Sequence, residues 1–277
     1  MGNQEKRIVN MVCVFCLLFH LTAFIPIKLF QYLRIDSQIL ISVLWMIIVN
    51  LLPIIFICKN MILKFDTTKR KTNILRVSIV LLIVYFGVLY RLIGYVAVQI
   101  PLLKSFLINN PNIKLTTLDA FSYAILGPII EEIIYRGILL EQLRKDGDEF
   151  AIIVSAVVFA MGHFKSSLYV IFAGVFLGII YVVTNNLKSS IMLHIIINTA
   201  SLIENISRLS YSKILVLYAG LLVLLIVIIK AFKIQTHKYY INRFDLATIK
   251  KDKEKYKEIF STEWFLVYFL FVFLCSL

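Results

Sequence analysis

The chain has 277 residues, of which 60% are hydrophobic and only 16% charged, and its mean hydropathy is +0.89. A soluble domain carries about 25% charged residues, so this composition excludes a soluble enzyme and points to a single integral membrane domain over 1–277. The formal net charge of +13 is the pattern of Lys and Arg held in cytoplasmic loops against anionic lipid; no nucleic-acid recognition module accompanies it, so nucleic acid is not an expected partner.

In chain order, apolar runs long enough for a helical span fall near 8–28, 38–58, 77–101, 118–142, 149–166, 168–187, 189–207, 213–232 and 262–277. The expected fold is all-α: a polytopic membrane protein of eight or nine transmembrane helices, the last run being short. The first run lacks a small-residue cleavage site and reads as a retained span. "MGNQEK" and "LCSL" fit neither myristoylation nor prenylation, so the chain is expected to span the membrane without a lipid anchor. Basic residues concentrate between 59 and 76 and between 230 and 262, which places the N-terminus in the cytoplasm. The polar segment 233–262, with His237, is expected to lie on anionic headgroups. Cys13, Cys16, Cys58 and Cys275 sit in or beside apolar runs and read as small buried hydrophobes, not as a disulfide framework.

Few ionisable residues fall inside the runs: His20, Arg91, Glu131, Glu132, Arg136, His163, His194 and Glu204. Each is costly in a bilayer, by roughly 2.5 kcal/mol or more when charged. Glu132 and Arg136 are four apart and pair on one helical face. Glu131 points about 100° round the helix and needs another partner or a raised pKa, the condition of a general base. Pro128 frees a backbone carbonyl, so the helix is expected to be distorted beside a polar cavity. His163 and His194 lie on two further helices, and Asn198 is one turn beyond His194. A base, a second proton carrier and neutral donors for an oxyanion together suit amide hydrolysis by water. His20 reads as interhelical glue, Arg91 as snorkelling or paired, and Glu204 as reaching water near a helix end. Gly174 and Gly178, spaced GxxxG, read as close helix packing.

These residues resemble the motifs of a known family. "EEIIYRG" is similar to EExxxR, "FAMGH" to FxxxH through Phe159 and His163, and "HIIIN" to HxxxN through His194 and Asn198. Their order and spacing are those of the CPBP family, the CAAX-protease and bacteriocin-processing (Abi) enzymes, over roughly 118–205. The resemblance implies an intramembrane endopeptidase with a motif-bearing catalytic core, its helices surrounding a polar cavity reached from the cytoplasm. It implies that Glu131 and His163 activate water, that His194 and Asn198 hold the oxyanion, and that Glu132 and Arg136 support the first motif. No cofactor is favoured; were zinc present, Glu131, His163 and His194 would be its ligands. The expected partner is a membrane-associated peptide or protein substrate, and the expected location is a bacterial cell membrane. The other readings are a non-catalytic membrane partner, in bacteriocin self-immunity or in regulation of another membrane protein, and, less favoured for want of internal repeats, an ion-coupled transporter.

Overall fold

A computed structural model describes residues 3–32, 76–98, 117–163, 167–207, 210–231 and 253–276. The expected span 38–58, Cys58, His237 and the stretch 233–252 lie outside them. Every described element is helical: α1 (Asn3–Tyr32), α2 (Arg76–Val98), a composite helix α3 over 117–143, α4 (Asp148–Met161), α5 (Ser167–Thr184), α6 (Leu187–Ser207), α7 (Tyr211–Ala231), α8 (Lys253–Phe260) and α9 (Glu263–Ser276). The all-α expectation therefore holds for the described chain, and each remaining apolar run coincides with one helix.

Among the described residues no single helix is both long and apolar enough to cross a membrane alone. α8 and α9 pass together, bent by 71°. Apolar side chains are also left uncovered on α7, including Val216, Leu217, Val223 and Val227, and on α9, including Leu266, Phe269, Leu270 and Phe273. Cys275 is exposed there too, contrary to the buried reading, whereas Cys13 and Cys16 are buried.

α3 is the distorted element. Its ladder is π-helical over Ser122–Leu126, α-helical over Gly127–Glu132 and π-helical again over Ile133–Leu140. Pro128 has no N–H, and the Gly127 N–H reaches back to the Ser122 carbonyl, five residues away. The two glutamates thus sit on the short α-helical step between widened turns. Ser155 of α4 donates to the Tyr135 carbonyl at 2.9 Å, which ties α4 to the second widened stretch.

α4 and α5 pack backbone against backbone. A Cβ on Gly174 would lie 2.8 Å from the Ala156 Cα, and one on Gly178 would lie 3.1 Å from the Ile152 side chain. The GxxxG pair is close packing, as its spacing suggests. Gly174→Ala is expected to cost about 1–3 kcal/mol because backbone, not a flexible side-chain end, must move. Gly220→Ala on α7, where a Cβ meets nothing within 4 Å, should be neutral or stabilising. Thermal unfolding of the two variants in detergent micelles checks the contrast.

One end of the bundle is tied by charges. Lys145 pairs with Glu5 at 2.5 Å, Lys6 with Glu258 at 3.1 Å, and Lys255 donates to the Asp146 carbonyl at 3.0 Å. Arg144 bonds Asp148, Glu141 and Asn185. Burial alone would lower the Arg144 guanidinium pKa; the hydrogen bond to Asp148 and the charges of Asp148 and Glu141 outweigh it and hold it above its ordinary value.

Candidate active site

Glu132 and Arg136 are both fully buried, at 0% exposure, and their pairing is as the four-residue spacing predicts, with Arg136 Nη1 donating to Glu132 Oε1 at 2.8 Å. Arg136 does more than neutralise Glu132. Its Nη2 donates to the Gly174 carbonyl at 3.0 Å, and its guanidinium carbon lies 4.6 Å from the centre of the Phe159 ring. The close approach of α5 at Gly174 is what brings that carbonyl within reach.

Glu132 has a second partner that spacing could not reveal. His194 Nδ1 lies 2.9 Å from the same Oε1. An ionised carboxylate only accepts, so Nδ1 carries the proton and donates. The other ring nitrogen, Nε2, lies 3.7 Å from Glu131 Oε2. His194 therefore spans the two neighbouring glutamates, with Glu132 as its anchor. Glu131 is the wetter of the pair, its side chain 35% exposed where that of His194 is 5%.

His163 follows the end of α4, where the last turn tightens: the Gly162 N–H reaches the Phe159 carbonyl at 3.2 Å and the His163 N–H reaches Ala160 at 2.9 Å. His163 Nδ1 lies 3.1 Å from the Phe159 carbonyl. A carbonyl only accepts, so Nδ1 is again the donor, and in the neutral ring Nε2 holds the lone pair. The Phe159 ring joins the motifs, its centre 4.8 Å from that of His163 and 5.6 Å from that of His194. Asn198 stands one turn beyond His194, where its Nδ2 donates to the Tyr123 carbonyl at 2.9 Å and leaves a second N–H on that nitrogen.

The structure thus brings Glu131, Glu132, Arg136 and His194 into one connected group, joins His163 to it through Phe159, and sets Asn198 at its edge against α3. Residues 113–200, which contain all three motifs, match the family model described as type II CAAX prenyl endopeptidase Rce1-like. That match is consistent with the CPBP family. Peptidases embedded in membranes make up that family, and peptide-bond hydrolysis at a membrane is the function class the match supports. No curated protein and no solved structure matches the chain.

Glu131, His163 and His194, the expected zinc ligands, do not form a three-ligand site as the matched segment is arranged. Among the described residues no three His, Cys, Asp or Glu side chains are drawn together closely enough to hold a metal ion. No step below is routed through a metal.

Two charged residues from apolar runs outside the motifs belong together. Arg91 of α2 forms an ion pair with Glu204 of α6, and Tyr95 and Tyr218 each donate to that carboxylate at 2.6 Å. Glu204 is therefore held by protein, not merely reaching water. His20 links α1 to the turn before His163, with Nδ1 2.6 Å from the Cys16 carbonyl and Nε2 3.1 Å from the Gly162 carbonyl. Phe159 entered the sequence reading only as a motif position. Its three-way contact with Arg136, His163 and His194 could be sought in sequence only as an aromatic one turn before an intramembrane histidine.

Proposed function

We propose that the protein is a CAAX-type intramembrane endopeptidase of eight or nine spans. It hydrolyses a peptide bond in a membrane-associated protein or peptide precursor with water activated by glutamate and histidine. One observation carries this reading: His194 is anchored through Nδ1 on the buried Glu132–Arg136 pair and turns Nε2 toward the more exposed Glu131. A purely structural ion pair needs no second carboxylate on the far side of an anchored imidazole.

In the proposed mechanism Glu131 takes a proton from water, and the water oxygen attacks the scissile carbonyl carbon. His163 Nε2 is the second proton carrier. The carbonyl electron pair moves onto oxygen, and the oxyanion is met by the free N–H of Asn198 and by His194. Because His194 Nδ1 donates to Glu132, an Nε2–H for the oxyanion exists only on the imidazolium, whose charge the oxyanion itself offsets once Glu131 has taken the water proton. Collapse of the tetrahedral species expels the amine, which takes its proton from Glu131 or His163.

The location we propose is a bacterial cell membrane with a cytoplasmic N-terminus and basic loops on anionic lipid. It is supported by the contacts that bring the N-terminal residues and the turn carrying Arg144 and Lys145 together with α8, which lies in the basic 230–262 stretch. The test is quantitative mass spectrometry of membrane and secreted peptides from host cells carrying the wild-type protein or Glu131→Gln at equal expression. Loss of defined cleavage products in the variant supports the protease. Identical profiles beside a deletion phenotype would point instead to a non-catalytic partner, as in bacteriocin self-immunity or regulation of another membrane protein.

A further inference from the structure

His163 is the one motif residue at a helix end, and helix ends are where a side chain's direction is least fixed. The last carbonyls of a helix have no intrahelical donor, and the turn that carries them frays unless something holds them. Here α4 finishes on the two tightened turns at Gly162 and His163. The Gly162 carbonyl meets a donor from outside the matched segment, His20 Nε2 at 3.1 Å, 142 residues away in sequence.

His20 is itself held firmly. It is buried, at 9% exposure, and its Nδ1 lies 2.6 Å from the Cys16 carbonyl one turn back on α1; carbonyls only accept, so both contacts are hydrogen bonds only when each ring nitrogen carries a proton, and the tie to α4 needs the one on Nε2. The Phe19 ring stands edge-on to it at 5.5 Å. On its other side are two rings of α9, Tyr268 at 6.0 Å and Phe271 at 6.3 Å. Tyr268 is wholly buried, and its hydroxyl lies 3.6 Å from where a Cβ on Gly162 would be. The same turn is thus gripped from α1 and walled by α9, while the motif histidine hangs from its next residue. An interhelical bond made only for packing has no need to end on the peptide that bears His163.

We propose that His20 is a positioning residue: its Nε2–H holds the Gly162 carbonyl and so fixes the turn that keeps His163 Nδ1 on the Phe159 carbonyl and its ring beside that of Phe159. This rests on the proposed role of His163 for its functional meaning, though not for its test. In this arrangement α1 and α9, outside the matched segment, complete the site by bracing a helix end.

The chain has four histidines, His20, His163, His194 and His237, so histidine labelled with ¹⁵N and ¹³C gives a spectrum simple enough to assign by single substitution. Ring-nitrogen shifts report which nitrogen carries the proton. The experiment compares the full-length wild type, His20→Leu and His20→Gln in detergent micelles. His163 should show one Nδ1–H form in the wild type. In His20→Leu its signals should shift or split into two forms, while those of His194, anchored on Glu132, stay put and report an intact fold. His20→Gln, whose amide N–H can reach the same carbonyl, should restore the wild-type His163 signals. Unchanged His163 signals in a folded His20→Leu protein would overturn the proposal, as would equal perturbation by Leu and Gln. If His20→Leu fails to fold, His20→Asn replaces it, its amide being too short to cross to Gly162. Because the readout needs no substrate, its failure is distinct from a failure to find cleavage.

Discussion

Glu131→Gln is expected to lower the rate of peptide cleavage by about 10²–10⁴-fold while leaving the fold intact. The amide keeps the size and shape of the side chain but cannot take a proton from water. Its structural cost is small because Glu131 is 35% exposed and stands 3.7 Å from His194 Nε2, beyond a hydrogen bond. Thermal unfolding of the variant should stay within about 1 kcal/mol of wild type. Glu132→Gln makes the instructive comparison. It changes an acceptor that serves Arg136 and His194 together in a dry site, so it should lower stability and activity at once. Two adjacent glutamates, identical in chemistry, should therefore separate into one that acts and one that holds. Purified protein in liposomes, given the peptide identified in host cells, checks this. Residual activity of Glu131→Gln within tenfold of wild type would remove Glu131 from the role of base.

Much of this arrangement is legible in sequence because membrane burial makes polar residues conspicuous. The Glu132–Arg136 pair follows from a four-residue spacing, and the distortion around Pro128 follows from a missing N–H. The GxxxG contact follows from two glycines one turn apart. What spacing cannot show is any contact set by helix docking. His194 meets Glu132 from 62 residues away, and Arg136 finds the Gly174 carbonyl across 38. Glu204 looked like a water-facing end because its partners, Arg91, Tyr95 and Tyr218, come from two other helices. Cys275 looked buried because an apolar run around it is equally consistent with a core helix and with a helix whose outer face is uncovered; α9 is the second kind. The two π-helical stretches of α3 also went unread, although they flank the two glutamates and the second carries Arg136. A ladder shifted by one residue leaves composition unchanged.

Arg136→Met is expected to be among the most destabilising single changes in the chain, by about 3–5 kcal/mol. The methionine fills most of the volume beside Phe159, so the loss is electrostatic more than steric. Glu132 remains at 0% exposure with a carboxylate whose only described partner is then His194. The Gly174 carbonyl loses its donor where α5 packs directly on the α4 backbone. Lysine is not a substitute, since one ammonium cannot reach Glu132, Gly174 and the face of Phe159 in the planar fork that Arg136 uses. Adding Glu132→Gln to Arg136→Met removes the stranded charge, so the double variant should lose less stability than the two single losses added together. Denaturant unfolding of the four proteins in micelles gives this coupling directly. If Arg136→Met unfolds within about 1 kcal/mol of wild type, the pair is hydrated and not buried. The anchoring of His194 on a dry carboxylate would fall with it, and with that the reason Nε2 faces Glu131.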